Sequence, residues 1–169
     1  MSLTFILGGA RSGKTAHALE RARRLPQERL IMIATAQALD GEMAERIARH
    51  QAERGDAWTT IEAPLDLAGA VRGLAAGDVA VVDCLTLWLT NQMMAEAQIA
   101  PAVADLVEAL AQSPAALVVI SNEVGQGIVP DNALARRFRD EAGWMHQKVA
   151  AAADRVEVIW AGLPLSLKG

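Results

Sequence analysis

Eight residues near the start of the chain have the types and the spacing that triphosphate binding requires. They are Gly8, Gly9, Ala10, Arg11, Ser12, Gly13, Lys14 and Thr15, which match the pattern Gly-x-x-x-x-Gly-Lys-Thr. Glycines let successive backbone N–H groups turn towards phosphate oxygens, and a following helix adds unpaired amides and the positive end of its dipole. Lys14 supplies a positive charge for the outer phosphates, and the Thr15 hydroxyl is suited to bind Mg²⁺. The motif predicts binding of a nucleoside triphosphate without indicating which reaction follows.

A second ligand for Mg²⁺ is expected at Asp83, which ends the apolar run of residues 79–83. A carboxylate at the end of a buried strand beside a P-loop binds Mg²⁺ directly or through water. The same side chain would alternatively cap a helix that begins near Leu85. The sequence leaves both roles open.

A charged helix predicted over residues 41–55 carries a candidate nucleophile. Arg46, His50 and Arg54 are spaced i, i+4 and i+8, so they share one face over two turns. Arginine forks bind phosphate oxygens, and a neutral imidazole can attack phosphorus to form a covalent intermediate. Flanking positive charge lowers the pKa of a histidine and so favours its neutral form. The alternative interpretation is a solvated basic face with a surface histidine.

The elements that must position these residues alternate along the chain. A loop is predicted at residues 122–132 and an irregular tail from Gly162. Strands are predicted at residues 3–7, 30–35, 58–62, 79–83, 115–121 and 155–160, and helices at 14–25, 41–55, 65–74, 85–110 (interrupted near Pro101) and 133–153. This order predicts a three-layer α/β fold of the P-loop NTPase type, with a mainly parallel sheet and helices on both faces. Ligands of such sheets bind beyond the carboxyl ends of the strands, where the P-loop, Thr35, Asp83 and the 122–132 loop should meet.

Length and composition limit the classes of protein to which the chain can belong. The 169 residues are expected to form a single domain over residues 1–169, and the high apolar content argues against disorder. The net charge of −4 argues against a broad electrostatic role on nucleic acid. One cysteine, Cys84, excludes a disulfide framework within the chain. No apolar run is long enough to insert as a membrane helix, so a cytoplasmic location is expected.

The motifs together resemble one family, the bifunctional adenosylcobinamide kinase / adenosylcobinamide-phosphate guanylyltransferases of cobalamin biosynthesis. The match extends over nearly the whole chain, and its most distinctive parts are the loop that ends at Pro130 and the C-terminal segment. The segments that carry it are residues 8–15, Ile33-Ala-Thr-Ala-Gln37, residues 42–50, Trp58-x-Thr60-x-Glu62, residues 83–91, Ser121-Asn-Glu-Val-Gly-x-Gly-Ile-Val-Pro130, residues 136–143 and residues 162–169. One departure is His146-Gln147, where the family pattern has Asn-Gln.

The resemblance implies two reactions in sequence. The family phosphorylates the aminopropanol hydroxyl of adenosylcobinamide with ATP or GTP, and then transfers GMP from GTP to that phosphate. The histidine that is guanylylated corresponds to His50, between Arg46 and Arg54. The resemblance also implies a homotrimer. The nucleotide contacts that it implies are the P-loop residues named above, Ala34, Thr35, Ala36, Gln51, Ala52, Glu53, Arg54, Glu62 and a contact near Asp83.

Two questions about this site stay open at the level of sequence. Glu62 is a candidate for guanine recognition, because a carboxylate accepts from two guanine N–H groups; it is otherwise an exposed residue that ends a short strand. A P-loop presents the γ-phosphate for transfer, whereas His50 needs the α-phosphorus. We therefore expect either that the charged helix moves between the two steps or that GTP binds differently in each.

Three other functions compete with the bifunctional enzyme. The alternative within the same class is a small-molecule P-loop kinase without guanylyltransferase activity. A regulatory GTP-binding switch is disfavoured because the chain has no Asn-Lys-x-Asp guanine motif. A nucleotide-hydrolysing motor is disfavoured by the compact length and by the helix that carries His50. Turnover on a small alcohol separates a kinase from a switch, and a covalent nucleotide separates the bifunctional enzyme from a plain kinase.

Overall fold

A computed structural model describes residues 2–37 and 57–169. The strands in these ranges are β1 (Ser2–Gly8), β2 (Arg29–Ala34), β3 (Trp58–Glu62), β4 (Asp78–Asp83), β5 (Ala116–Asn122), β6 (Arg155–Trp160) and β7 (Leu163–Lys168). The helices are α1 (Lys14–Arg24), α2 (Leu67–Arg72), α3 (Leu85–Met94), α4 (Ile99–Gln112) and α5 (Ala133–Ala152). None of these helices is both long enough and apolar enough to cross a membrane.

The seven strands form one sheet in the order β3-β2-β4-β5-β1-β6-β7. All neighbouring pairs are parallel except β6 and β7, which are antiparallel. β1 lies between β5 and β6, with Gly8 in register with Asn122. The carboxyl ends of β1, β4 and β5 therefore meet at one edge, as the alternation of strands and helices predicted.

Helices cover both faces of the sheet. Successive strand residues point to opposite faces, so each strand contributes side chains to two separate cores. Phe5, Ile33 and Val119 belong to the larger core, beneath α2, α3, α4 and α5. Ile6, on the other side of β1, packs in a second core that includes the apolar face of α1. The central strands are apolar on both faces and fully buried, which is typical of a parallel sheet covered by two helix layers.

One prediction of local structure was wrong, and another was confirmed. The segment after Gly162 is not an irregular tail, since Leu163–Lys168 pairs with β6 as the antiparallel edge strand β7. The interruption predicted near Pro101 in the helical stretch 85–110 is confirmed, since α3 ends at Met94 and α4 begins at Ile99, with Pro101 in its first turn. Proline fits the first turn of a helix because its missing N–H has no intrahelical partner there.

Candidate active site

The P-loop curls tightly between the end of β1 and the start of α1. A Cβ on Gly8 would lie 2.4 Å from the Ser12 Oγ and 2.9 Å from the Ile159 carbonyl oxygen, so this position requires glycine. Gly13 has φ of +93°, in the left-handed region that disfavours a side chain. Among the described residues, no side chain caps the N-terminus of α1, and the Ser12 hydroxyl has no hydrogen-bond partner. The loop thus presents backbone amides and one hydroxyl that suit phosphate oxygens.

Lys14, Thr15 and Asp83 come together at the carboxyl edge of the sheet. The buried Lys14 donates from Nζ to the Gly9 carbonyl oxygen, 3.0 Å away, which holds the ammonium against the P-loop. The Thr15 hydroxyl donates to Asp83 Oδ2 across 3.4 Å, so the P-loop helix and β4 meet through these two side chains. Cys84, not Asp83, occupies the N-cap position of α3, so the structure does not give Asp83 the capping role that the sequence left open.

The donor set at this point fits Mg²⁺. Hydroxyl and carboxylate oxygens are ligands that Mg²⁺ accepts, and it usually takes one or two protein ligands plus phosphate oxygens and water. Within the described part of the chain, no group of three or more His, Cys, Asp and Glu residues could hold a metal by itself. A cation at Thr15 and Asp83 would therefore depend on the nucleotide for its remaining ligands.

The turn between β6 and β7 supports the P-loop from the side. The backbone N–H of Gly162 donates to the Ser12 carbonyl oxygen at 3.0 Å. A Cβ on Gly13 would come within 3.5 Å of the Gly162 Cα, so the two backbones lie close together. Gly162 has φ of +81°. Sequence reasoning missed this support because it left the C-terminal segment without structure. The available signal was a glycine two residues after a strand.

A buried polar network joins the ends of β2 and β4 to α3. The Thr35 hydroxyl donates to the Cys84 carbonyl oxygen and accepts from the Cys84 N–H, both at 2.8 Å. The Asn91 side chain donates to the carbonyl oxygens of Thr35 at 2.8 Å and Pro64 at 3.0 Å. Because the fully buried Thr35 side chain binds these protein groups, it supports the site from below.

The same network extends to β5 through Asn122. Its amide nitrogen donates to the Thr86 hydroxyl at 2.7 Å, and the Thr86 hydroxyl lies 3.1 Å from Cys84 Sγ. Burial raises the pKa of the Cys84 thiol, and the nearby Asp83 carboxylate adds to the effect, so the thiol stays protonated. Asn122, Thr86 and Asn91 are positioning residues that the sequence analysis did not single out individually.

Two of the three histidines are in the described part of the chain, and both have structural partners. His17 lies 2.8 Å from the buried carboxylate of Glu157, which Arg21 also approaches to 3.2 Å. His146, on the buried face of α5, has its Nε2 2.8 Å from the Ser121 hydroxyl of β5. Burial lowers the pKa of His146, so this side chain is held neutral in the core.

The remaining predicted contacts fall into two groups. Ala34 and Glu62 are paired in register at the ends of β2 and β3, and Ala36 lies two residues after the end of β2. These positions share the sheet edge with the P-loop but are separated from β1 by the intervening strands. Arg46, His50, Gln51, Ala52, Glu53 and Arg54 belong to the segment between β2 and β3 and lie outside the described residues.

Comparison with known proteins identifies close relatives over the full length. The family model described as "Cobinamide kinase / cobinamide phosphate guanyltransferase" matches residues 4–167. The chain is 48% identical to the bifunctional adenosylcobalamin biosynthesis protein CobP of Pseudomonas aeruginosa, over 97% of this chain and 96% of the relative. It is 38% identical to the corresponding protein CobU of Salmonella typhimurium, over 98% of this chain and 99% of the relative.

Solved structures with much lower sequence identity share the fold. One of them, described as an ATPase domain, superposes with a TM-score of 0.53 at 12% identity, over 93% of this chain and 68% of that chain. The flagellar accessory protein FlaH of Methanocaldococcus jannaschii superposes with a TM-score of 0.51 at 15% identity, over 99% and 78% of the two chains. The architecture is that of a P-loop NTPase, as the sequence predicted.

Proposed function

The chain belongs to the cobinamide kinase / cobinamide phosphate guanyltransferase family, and from this membership we propose how its residues divide the two reactions. It is a bifunctional enzyme of cobalamin biosynthesis. We propose that its acceptor is adenosylcobinamide, with ATP or GTP as phosphoryl donor. GTP then transfers GMP to the new phosphate, which gives adenosylcobinamide-GDP and releases pyrophosphate.

The kinase reaction is assigned to the P-loop edge. The observation that carries this assignment is the convergence of Lys14, Thr15 and Asp83, with the Thr15 hydroxyl 3.4 Å from the Asp83 carboxylate. The acceptor hydroxyl oxygen attacks the γ-phosphorus and its proton passes to solvent, while the bond to the β-phosphate oxygen breaks and ADP or GDP leaves. Lys14 stabilises the charge that develops on the transferred phosphoryl group. Thr15 and Asp83 would hold Mg²⁺, which when bound neutralises phosphate charge.

The guanylyltransferase reaction is assigned to His50. Its imidazole nitrogen attacks the α-phosphorus of GTP and pyrophosphate leaves, which gives a guanylyl-histidine. A phosphate oxygen of cobinamide phosphate then attacks the same phosphorus, and the histidine is released. Arg46 and Arg54 bind phosphate oxygens during both steps. The spacing of these three residues in the sequence is the basis of the proposal.

We infer that GTP binds in a different position for each reaction. Glu62, the candidate for guanine recognition, ends β3, and β3 is separated from β1 by β2, β4 and β5. At about 4.8 Å per strand, Glu62 lies roughly 19 Å along the sheet edge from the P-loop glycines. In the sequence, His50 falls between β2 and β3, the strand that ends at Glu62. This arrangement favours a guanylyl site displaced from the γ-phosphate site.

Three properties of the whole protein are part of the proposal. Residues 1–169 act as one domain around a single sheet. The enzyme works in the cytoplasm, where ATP and GTP are available. It assembles as a homotrimer; the support in the structure is the edge strand β7, whose residues Leu163, Leu165 and Leu167 are 72%, 59% and 59% exposed. Leucines at alternate positions share one face of a strand, which is suited to contact another subunit.

Product analysis tests the proposed function directly. Purified enzyme, Mg²⁺ and cobinamide are incubated with ATP alone, with GTP alone, and with both. The corrinoid products are then separated by chromatography and identified by mass spectrometry. We expect cobinamide phosphate with ATP alone and GDP-cobinamide whenever GTP is present. Lys14→Ala should abolish the first product but still convert supplied cobinamide phosphate. Wild-type enzyme that stops at cobinamide phosphate in the presence of GTP would contradict the second reaction.

A further inference from the structure

Apart from the β7 face, exposed apolar side chains form a second group in the connection from β5 to α5 and on α5 itself. Ile128 is 97% exposed, Val129 60% and Leu134 59%, all within seven residues of chain. Trp144, farther along α5, is 57% exposed. Single exposed apolar residues are ordinary, but a concentration of them on one side of a site usually marks a binding surface.

Hydrogen bonds hold this connection in a defined conformation. The Arg136 guanidinium donates to the carbonyl oxygens of Pro130 at 2.9 Å and Asp131 at 2.8 Å. The Asn132 side chain caps α5 by accepting from the Ala135 N–H at 2.7 Å. These bonds fix residues 130–132 at the start of α5, and Ile128 and Val129 directly precede this fixed part and are exposed.

The connection begins directly beside the P-loop. The Glu123 N–H donates to the Gly8 carbonyl oxygen at 3.0 Å, and Asn122 is in register with Gly8. Gly125, two residues later, lines a cavity of about 260 Å³ together with Arg139, Asp140, Gly143, Trp144 and Gln147. A molecule seated in this cavity and on the apolar loop would thus lie next to the glycines that bind the nucleotide.

We propose that this surface binds the corrin macrocycle of cobinamide and presents its hydroxyl to the γ-phosphate. The proposal rests on the kinase reaction proposed above and adds the location of its acceptor. We define the corrinoid surface as Ile128, Val129, Leu134 and the cavity residues Arg139, Asp140, Trp144 and Gln147.

The chemistry of the surface matches this occupant. Cobinamide is a broad macrocycle with apolar edges and peripheral carboxamide groups, each of which both donates and accepts hydrogen bonds. Trp144 and the loop side chains supply apolar contact area. Arg139 donates, Asp140 accepts and Gln147 does both, which suits carboxamides. Arg139 is paired with Asp140 at 3.2 Å, so its charge is balanced and the cavity does not favour a second phosphate.

The size of the cavity fixes what part of the substrate it can hold. About 260 Å³ is too small for a whole macrocycle, since pockets for drug-sized ligands have volumes of roughly 300–1,000 Å³. The cavity therefore accommodates one edge of the corrin with its carboxamide side chains. The remainder lies against the exposed loop residues.

Separate KM measurements for the two substrates test the proposal. We expect Ile128→Asn and Trp144→Ala each to raise the KM for cobinamide about tenfold or more, because each removes a large apolar contact. The KM for ATP should stay within about twofold, since neither residue belongs to the P-loop. Equilibrium dialysis with cobinamide in the absence of nucleotide should show the same loss of affinity. The matched control is Met94→Asn, which changes a side chain that is 72% exposed at the end of α3, outside the corrinoid surface.

The outcomes separate this inference from the proposed function. If wild-type enzyme does not phosphorylate cobinamide, the proposed function itself fails. If wild type is active and both variants keep the wild-type KM and affinity for cobinamide, the corrinoid surface is wrong and the kinase assignment stands. If the variants instead change the mass in light scattering without changing the KM for cobinamide, the occupant is a second copy of the chain and the proposal is overturned.

Discussion

At the scale of single residues, the proposed kinase site combines a hydroxyl and a carboxylate from different parts of the sequence. Thr15 lies in the first turn of α1, and Asp83 ends β4, yet their oxygens lie 3.4 Å apart. Asparagine at position 83 keeps the shape of the side chain and removes its charge. The effect of such a change on metal dependence therefore reports the role of Asp83 more directly than its effect on rate alone.

We expect Asp83→Asn to raise the Mg²⁺ concentration needed for half-maximal kinase rate by about 10- to 100-fold. The control is Asp105→Asn, which breaks an ion pair with Arg72 on the surface of α4. Titration of the kinase rate with Mg²⁺ at saturating ATP measures both variants. An unchanged Mg²⁺ requirement in Asp83→Asn would exclude this residue as a ligand.

His146 gives the stability of the protein a dependence on pH. Burial lowers its pKa in the folded protein, whereas the unfolded chain keeps the ordinary value of about 6.5. Below that value the unfolded chain binds the proton more readily, so acidification should lower the free energy of unfolding. Above it, both states hold His146 neutral and its contribution does not change with pH.

The variant His146→Asn keeps a polar partner near Ser121 but has no group that titrates in this range. Urea unfolding at several pH values between about 5 and 8 should show that the wild type loses stability below about pH 6.5 more steeply than the variant. The other histidines are common to both proteins and cancel in the comparison. Parallel stability profiles would mean that His146 is not held neutral by burial.

At the scale of elements, the site is assembled by a buried network that ties β2 to β4 and α3. The Thr35 hydroxyl is the centre of this network, because it satisfies both the N–H and the carbonyl of Cys84. Asp83 is the neighbour of Cys84 in the chain. The position of the Asp83 carboxylate is therefore coupled to the side chain of Thr35.

Replacing Thr35 by valine preserves its shape and leaves two buried backbone groups without their partner. We expect a loss of about 2 kcal/mol or more in the free energy of unfolding, together with a higher Mg²⁺ requirement in the kinase assay. Thr60→Val is the control, since Thr60 is exposed on β3. Equal free energies of unfolding for the two variants would show that the hydrogen bonds of Thr35 do not contribute this stability.

The helices and strands differ in how well the sequence predicted them. Buried parallel strands such as β4 and β5 were predicted because unbroken apolar runs of this length fit a sheet that is covered on both faces. The edge strand β7 was not predicted, because it follows a glycine and contains a proline, which is typical of a loop or an edge strand. The break between α3 and α4 was predicted near Pro101, and it lies just before this proline because proline is tolerated in the first turn of a helix.

The candidate site was also predicted only in part: its local motifs were predicted, and its long-range hydrogen bonds were not. The P-loop and Asp83 have local patterns, so their convergence at one edge followed from the alternation of strands and helices. The hydrogen bonds of Asn122 with Thr86 and of His146 with Ser121 join residues 36 and 25 positions apart. A single sequence contains no local signal for such pairs, and only the packing of the elements brings them together.

At the scale of the whole molecule, the exposed leucines of β7 lead to the prediction that subunits meet there. Leu165→Glu places a charge in the middle of this apolar face, so it should shift the protein from trimer to smaller species. Met94→Glu, a charge at an exposed apolar site on α3, should leave the mass unchanged. Light scattering coupled to size-exclusion chromatography measures both. A wild-type protein that is already monomeric, or a trimeric Leu165→Glu, would contradict the assignment.

The central claim is that the chain transfers GMP through a covalent nucleotide on His50. The most direct test is incubation with Mg²⁺ and GTP labelled at the α-phosphate, for wild type and for His50→Ala, with His17→Ala as the matched histidine control. We expect a labelled protein that is acid-labile and alkali-stable in wild type and in His17→Ala, and no label in His50→Ala. A wild-type protein that stays unlabelled while it phosphorylates cobinamide, or a label that persists in His50→Ala, would contradict the account.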